Sequence, residues 1–330
     1  MKISIIGSGS FGTSIAIHLS KNADDIVLWG NNPEIAKEIN INRTNKTYLK
    51  NVENIPKNIC ASLDLEDAIK GAKYIILAVP SQAVRSVSKQ LKPFLSTNQI
   101  IVNLAKGLDS QTLERLSTVI EYETESTNIV ALSGPSHAEE IAQNIPTTIV
   151  ASSSNLKLAE DVQRDLSTHT LRIYTNPDIV GVEIGGASKN IIALASGILD
   201  GLGYGDNAKA ALMVRGMSEI IEIGTILGGN FKTFNGLSGM GDLIVTCTSN
   251  HSRNKQAGVL LASGKSLDET LNHVGMIVEG VKACECFYKL AIEKNVELPI
   301  TFAIYNVLFK NSNPKDELNN LLSRDKKSEF

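Results

Sequence analysis

The chain has 330 residues, 42% of them hydrophobic and 20% charged, with 32 Lys and Arg against 35 Asp and Glu. This composition excludes disorder and collagen-like repetition, and at roughly 100–200 residues per domain the length predicts about two domains. A net charge of −3 argues against a general binder of nucleic acid or membrane surfaces, so an anionic ligand must be held by locally placed cations or backbone N–H groups.

Short β-branched runs predict strands at Lys2–Ile6, Ile26–Trp29, Tyr74–Val79, Ile100–Leu104, Asn128–Leu132, Thr147–Ala151 and Leu171–Tyr174. Several are continuously apolar, as strands buried on both faces of a mostly parallel sheet are. Helical patterns alternate with them at Phe11–Lys21, Pro33–Ile41, Asp64–Lys70, Gln82–Leu91 and Leu156–Leu166, and Asn32-Pro33 reads as an N-cap with proline at the first helical position. Such alternation predicts a doubly wound α/β domain over residues 1–177. Beyond Asn176-Pro177 the strand signals nearly vanish. Helices are expected at Ile179–Leu202, Ala208–Leu227, Ser252–Ser263, Glu279–Lys294 and Thr301–Leu308, giving an all-α domain over 178–330. The cleft between the two halves is the expected ligand site, and the last dozen polar residues, through Arg324–Phe330, are expected to fray.

Met1-Lys2 leads straight into an apolar strand, which is not a signal-peptide pattern. Apolar stretches such as Ile191–Leu199 fall short of the ~20 residues that span a bilayer, so no membrane insertion is expected. Cys60, Cys247, Cys284 and Cys286 make no disulfide framework in so long a chain and point to a reducing cytoplasm. Cys284-x-Cys286 lies in a helical pattern without a second Cys/His pair, so no metal site is expected.

The first strand runs into Gly7-Ser8-Gly9-Ser10-Phe11-Gly12, a G-x-G-x-x-G at the mouth of the first helix. Gly7 permits the tight turn, Gly9 lets the backbone approach a pyrophosphate, and Gly12 lets the helix pack close to the sheet; the helix N-terminus supplies N–H groups and a positive dipole end. With a strand, a helix and a second strand at the right spacing, the motif predicts a Rossmann-type dinucleotide site. The second strand ends in Trp29-Gly30-Asn31-Asn32, with neither a carboxylate to repel a 2′-phosphate nor an arginine to bind one; Arg43 lies off the motif. NAD and NADP both stay open.

Four more islands carry chemistry. Lys106, in Asn103-Leu104-Ala105-Lys106-Gly107, follows a strand and should sit at the carboxyl edge of the sheet, although it also reads as a surface lysine opening a loop. Ser133-Gly134-Pro135-Ser136-His137-Ala138 turns from a strand into a helix; an ordinary β–α turn has the same pattern. Lys189, in Gly185-Gly186-Ala187-Ser188-Lys189-Asn190, lies inside an apolar helical stretch, where a lysine is costly unless its head reaches a cleft or a partner. In the last island Asp242 follows Gly239-Met240-Gly241, either to orient a lysine or as a plain loop aspartate. Ser252 there reads as the N-cap of a helix that carries Arg253 and Asn254 in its first turn, a good place for a phosphate.

Together these islands resemble the NAD(P)-dependent glycerol-3-phosphate dehydrogenase family, most closely its bacterial form. The matching blocks are Gly7–Thr13, Val27–Gly30, Ala105–Leu108, Ser133–Ser136, Gly181–Asn190, Asn207–Arg215, Gly239–Thr248 with Ser252–Asn254, and Val278–Gly280. The resemblance implies reversible reduction of dihydroxyacetone phosphate to sn-glycerol 3-phosphate, which supplies glycerophospholipid synthesis. It puts the proton-transferring lysine at Lys189, and Lys106 against both substrate and cofactor. Gly134, Ser136, Asn190, Asp242, Ser252, Arg253 and Asn254 would line the substrate site. Ser10, Phe11, Asn31, Ala138, Arg253, Ile277 and Glu279 would join the glycines at the cofactor. A homodimer is the expected assembly. Two other readings compete: a two-domain dehydrogenase of the β-hydroxyacid or ketopantoate reductase type, and a non-catalytic dinucleotide sensor. The first does not need the Ser252-Arg253-Asn254 phosphate site, and the second gives the two lysines no task.

Overall fold

In the computed structural model, which describes residues 1–326 and 328, the β-branched runs of the first half become strands of one sheet. The chain runs β1 (Lys2–Ile6), α1 (Ser10–Leu19), β2 (Asp25–Trp29), α2 (Pro33–Lys37), β3 (Ile59–Ser62), α3 (Leu65–Ile69), β4 (Tyr74–Leu77), α4 (Val84–Leu91) and β5 (Ile100–Asn103). It continues through α5 (Leu116–Thr124), β6 (Ile129–Ser133), α6 (Ala138–Ala142), β7 (Thr147–Ser152), α7 (Leu156–Leu166) and β8 (Leu171–Asn176). Strand order is β3-β2-β1-β4-β5-β6-β7-β8, parallel from β3 to β6, with β7 antiparallel to β6 and β8 parallel to β7.

Every residue of β4 and β5 is buried, so these strands show no polar alternation: helices cover both faces. Ile3, Ile5, Leu28, Ile76 and Val102 pack on one face, and Ile6, Ile75, Leu77 and Ile101 meet Val84, Leu91 and Ile120 on the other. The strand order reverses between β1 and β4, the switch point where doubly wound sheets bind ligands. The glycine turn leaves β1 there.

The differences from expectation have local causes. Strand β3 escaped notice because it is a four-residue edge strand with only Ile59 fully buried. The helix expected over Pro33–Ile41 is α2, capped by the Asn32 side chain, followed by a wider π turn at Glu38–Asn42 that ends on Arg43 at φ +57°. Helices α5 and α6 were also not expected.

The chain packs as two units, Met1–Glu183 and Ile184–Phe330. The division falls within α8 (Ile179–Gly201), after which come α9 (Asp206–Ile226), α10 (Phe231–Phe234), α11 (Asp242–Thr248), α12 (Arg253–Ala262), α13 (Leu267–Val274), α14 (Glu279–Lys294), α15 (Pro299–Phe309) and α16 (Pro314–Leu322). Helices α10, α11, α13 and α16 were missed. Of the last dozen residues, expected to fray, those up to Leu322 belong to α16; Lys327, Glu329 and Phe330 lie outside the described residues.

The expectation that no segment approaches bilayer-spanning length needs correction. Helix α8 has 23 residues, and its most apolar 18-residue window has a mean hydropathy of 1.2, long and apolar enough by length and composition. Glu183 and Lys189 interrupt its apolar run, which is why counting uninterrupted residues missed it. Within the protein 89% of its most apolar window is buried, as in the core helix of a folded domain.

Glu219 on α9 closes the start of α15. Its carboxylate accepts from Ile300 N (2.5 Å), Thr301 N (3.1 Å) and Thr301 Oγ1 (3.0 Å), filling orphan donors of a helix N-terminus. Burial pushes this carboxyl up to about 7 despite those donors. From near its ordinary value to about 7, the folded protein therefore holds a proton that the unfolded chain has released. Stability should fall across that window as pH rises, by up to about 3 kcal/mol. Glu219→Gln cannot ionise, so its melting temperature should change less than that of the wild type between about pH 5 and about pH 7.5. Equal slopes in thermal melts would refute this.

Candidate active site

The site residues fall into one group on each unit. In the first unit, Gly7 takes φ +121°, and a Cβ there would lie 2.6 Å from Ala78 O. A Cβ on Gly12 would lie 1.9 Å from Gly7 O, so helix α1 sits on the turn at a distance only glycine allows. Gly9 differs, because a Cβ there would meet nothing within 4 Å. It is the N-cap of α1, makes no side-chain cap, and leaves the helix start, with half-buried Ser10 and Phe11, to an outside acceptor. An open glycine backbone at an uncapped helix N-terminus fits a dinucleotide pyrophosphate.

Beyond β2, Gly30 lies against Ser8; an added Cβ would stand 2.3 Å from Ser8 Oγ. Asn31 is exposed and makes no hydrogen bond among the described residues, while Asn32 caps α2. Arg43 directs its guanidinium to the carbonyls of Ile55, Pro56 and Ile59, so the nearest arginine in sequence is already engaged.

Lys106, Gly134 and Ser136 come together. Lys106 Nζ donates to Gly134 O at 2.8 Å and lies 3.3 Å from Ser136 Oγ, which itself donates to Gly134 O at 2.8 Å. Gly134 adopts φ +128°, with Ile149 Cα only 3.1 Å from an added Cβ. Asn103 turns the chain toward Lys106 by bonding both the N–H and the carbonyl of Ala105. The loop beyond is gripped by α4: Arg85 meets both Asp109 oxygens at 3.2 and 3.0 Å and pairs with Glu123, while Asp109 also receives Thr112 N–H and hydroxyl. Burial pushes the Asp109 carboxyl up, but Arg85 and Thr112 outweigh it and hold it below the usual range. This clamp was missed because the sequence gives no sign that Arg85 and Asp109 meet. Ala138 opens α6, with His137 as N-cap.

The second group is built on α8. Lys189 Nζ donates to Asp242 Oδ1 at 2.7 Å and to Thr246 Oγ1 at 2.6 Å, with the lysine 6% and the aspartate 1% exposed. Asp242 does not lie in a loop. It opens α11 and shares a face with Thr246 four residues on, so both reach one ammonium. Glycines allow the approach: a Cβ on Gly185 would meet Ser238 O at 2.9 Å, and one on Gly239 would meet Phe234 O at 2.0 Å.

One turn further along, α8 and α12 cross on small residues. A Cβ on Gly197 would lie 2.0 Å from Lys255 O, and one on Gly258 would lie 2.1 Å from Leu194 O. Contact this close brings the start of α12 beside α8. Asn254 Nδ2 donates to Asn190 Oδ1, and Asn254 Oδ1 receives Gly280 N–H, both at 2.9 Å. Ser252 caps α12 by accepting Lys255 N–H, and Arg253 stands exposed beside it with no hydrogen bond or ion pair among the described residues. Ile277, exposed, and Glu279, half-buried, flank Val278, the N-cap of α14.

A nucleotide-type parallel sheet with an open glycine turn, followed by a helical unit that buries a lysine against a carboxylate, defines a nicotinamide-dependent oxidoreductase. The chain belongs to the NAD-dependent glycerol-3-phosphate dehydrogenase family: the family's N-terminal model matches residues 2–159 and its C-terminal model residues 178–319. It is 56% identical over 328 residues to the glycerol-3-phosphate dehydrogenase (NAD(P)+) of Clostridium acetobutylicum, covering 99% of this chain and 98% of that protein. The enzyme of that name from Fusobacterium nucleatum is 49% identical over 332 residues, covering 100% and 99%. The crystal structure of glycerol-3-phosphate dehydrogenase from Coxiella burnetii superposes with a TM-score of 0.94 at 34% identity, covering 98% of this chain and 99% of that one. This membership replaces both competing readings.

Proposed function

We propose that this chain catalyses the reversible NAD(P)H-dependent reduction of dihydroxyacetone phosphate to sn-glycerol 3-phosphate, supplying glycerophospholipid synthesis in the cytoplasm as a homodimer. The observation that carries the reading is the buried Lys189 ammonium, aimed by Asp242 and Thr246, in a family of that activity. When bound, the nicotinamide supplies a hydride to the substrate's carbonyl carbon. Lys189 Nζ polarises the carbonyl oxygen and gives it a proton; in the reverse direction the neutral amine takes that proton back.

Arg253 with Ser252 and the start of α12 holds the phosphate, where a guanidinium and free N–H groups favour a dianion. Remote binding of this kind orients the carbonyl and so accelerates the reaction. Lys106, Gly134 and Ser136 contact substrate, with Lys106 also against the cofactor; Asn190 and Asn254 complete the substrate side. Gly7, Gly9, Ser10, Phe11, Gly12, Asn31, Ala138, Arg253, Ile277 and Glu279 form the cofactor side. In this reading residues 1–177 bind the dinucleotide and 178–330 the substrate. Asn31 at the end of β2 neither repels nor neutralises a 2′-phosphate, which supports use of both NADH and NADPH.

The test follows nicotinamide absorbance on adding dihydroxyacetone phosphate, first with NADH and then with NADPH. Oxidation of at least one is expected. A folded protein that binds cofactor and oxidises neither would defeat the proposal.

A further inference from the structure

We infer that Asn45 is a positioning residue for dinucleotide binding, acting through the glycine turn. It lies in the long excursion between β2 and β3, 37 residues from the turn, and is fully buried. Its Nδ2 donates to Ser8 O at 2.9 Å and to Thr13 Oγ1 at 2.8 Å. Ser8 is the middle residue of Gly7-Ser8-Gly9, and Thr13 lies in the first turns of α1. The amide orientation is fixed by chemistry, since Ser8 O can only accept; a carboxamide oxygen turned toward it would repel.

Ser8 O also accepts from Thr13 Oγ1 at 3.3 Å, the same hydroxyl that Asn45 Nδ2 holds, so these linked donors set which way the turn presents its N–H. In a trans peptide the Ser8 carbonyl and the Gly9 N–H point in opposite directions. Drawing Ser8 O toward Asn45 therefore aims the Gly9 N–H away from it, and Gly9 N–H has no partner among the described residues. Gly9 is the glycine whose surroundings are open. Asn45 is itself held from both sides, because Glu38 Oε1 accepts from Thr44 Oγ1 and from Lys46 N–H, each at 2.8 Å. Meanwhile Asn45 Oδ1 is buried with no donor among the described residues. Leaving a buried acceptor unpaired is unfavourable. A purely structural brace would gain by replacing that carboxamide, whereas one whose two N–H groups are both needed at the turn has to keep it.

The inference rests on the reading that the glycine turn holds NAD(P). Its test titrates NADH into wild type, Asn45→Ala and Asn45→Asp by fluorescence, records melting temperatures alongside, and measures KM for dihydroxyacetone phosphate at saturating NADH. Asn45→Ala should raise the NADH Kd about tenfold with the substrate KM unchanged. Asn45→Asp should bind NADH more weakly still at neutral pH, where a carboxylate faces the Ser8 carbonyl. Its affinity should recover toward that of Asn45→Ala on acidification, as protonation restores one O–H donor; wild type should show no such recovery. Should Asn45→Ala not fold, the isosteric Asn45→Asp carries the test through its pH profile. Wild-type NADH affinity in both folded variants overturns the inference, as does a substrate KM that rises in proportion to Kd. A wild-type protein that binds no NADH would instead defeat the reading of the glycine turn beneath it.

Discussion

Lys189→Ala should lower turnover of dihydroxyacetone phosphate by about 10²–10⁴, the usual contribution of a positioned general acid, while the NADH Kd stays near that of wild type. The expectation follows from where the ammonium sits. An acid works when its proton is already aimed, and Nζ is held by Asp242 Oδ1 and Thr246 Oγ1 in a nearly dry pocket on α8. The same geometry warns of a second effect. Removing the lysine strands the Asp242 carboxylate, 1% exposed, and breaking a buried pair costs on the order of 3–5 kcal/mol. The double variant Lys189→Met with Asp242→Asn removes the stranded charge and should recover stability without recovering turnover. Retained turnover in either folded variant would take Lys189 out of its role.

Arg253→Ala should show the opposite balance. Arg253 is exposed and has no hydrogen bond or ion pair among the described residues, so its loss should change stability by no more than about 0.5 kcal/mol. Recognition of the substrate phosphate should weaken by roughly 1.5–3 kcal/mol, the worth of a hydrogen bond to a charged group. In steady-state kinetics at saturating NADH, kcat/KM for dihydroxyacetone phosphate should drop, while any turnover of unphosphorylated dihydroxyacetone should not change. Arg253→Lys should recover part of the loss, since an ammonium keeps the charge but not the planar fork. If the alanine variant treated both substrates as wild type does, the phosphate would have to be held elsewhere.

How much of this was legible depended on whether a residue's task was written locally. The glycine turn was, because a strand, three glycines and a helix in sequence leave few alternatives. Lys189 was also, because a lysine inside an apolar helical stretch demands a partner, and Asp242 was weighed as that partner. The helix presenting Asp242 was not, because Ile244-Val245-Thr246 is β-branched and reads as a strand as easily as a helix. Glu219 looked like any amphipathic glutamate, since the start of α15 that it caps lies 81 residues away. Asn45 sits in the polar run Asn42–Tyr48, where nothing separates a turn residue from a buried brace. Both depend on partners far off in the chain, which local pattern does not encode.

Helix α8 also bears on how the chain is made. The partners of Lys189 and Asn190 follow them in the chain: Asp242 comes 53 residues after Lys189, and Asn254 comes 64 after Asn190. At about 5–20 residues per second of synthesis, Lys189 and Asn190 leave the ribosome several seconds before those partners exist. A nascent segment of 23 residues that is apolar on average has the length that spans a bilayer. A lysine or aspartate at the centre of such a stretch opposes insertion by about 2.5–3.5 kcal/mol. Lys189, near the middle of α8, imposes that barrier, and Glu183 near its start adds a second charge. In the unfinished chain the same lysine therefore opposes insertion before Asp242 has been made to receive it.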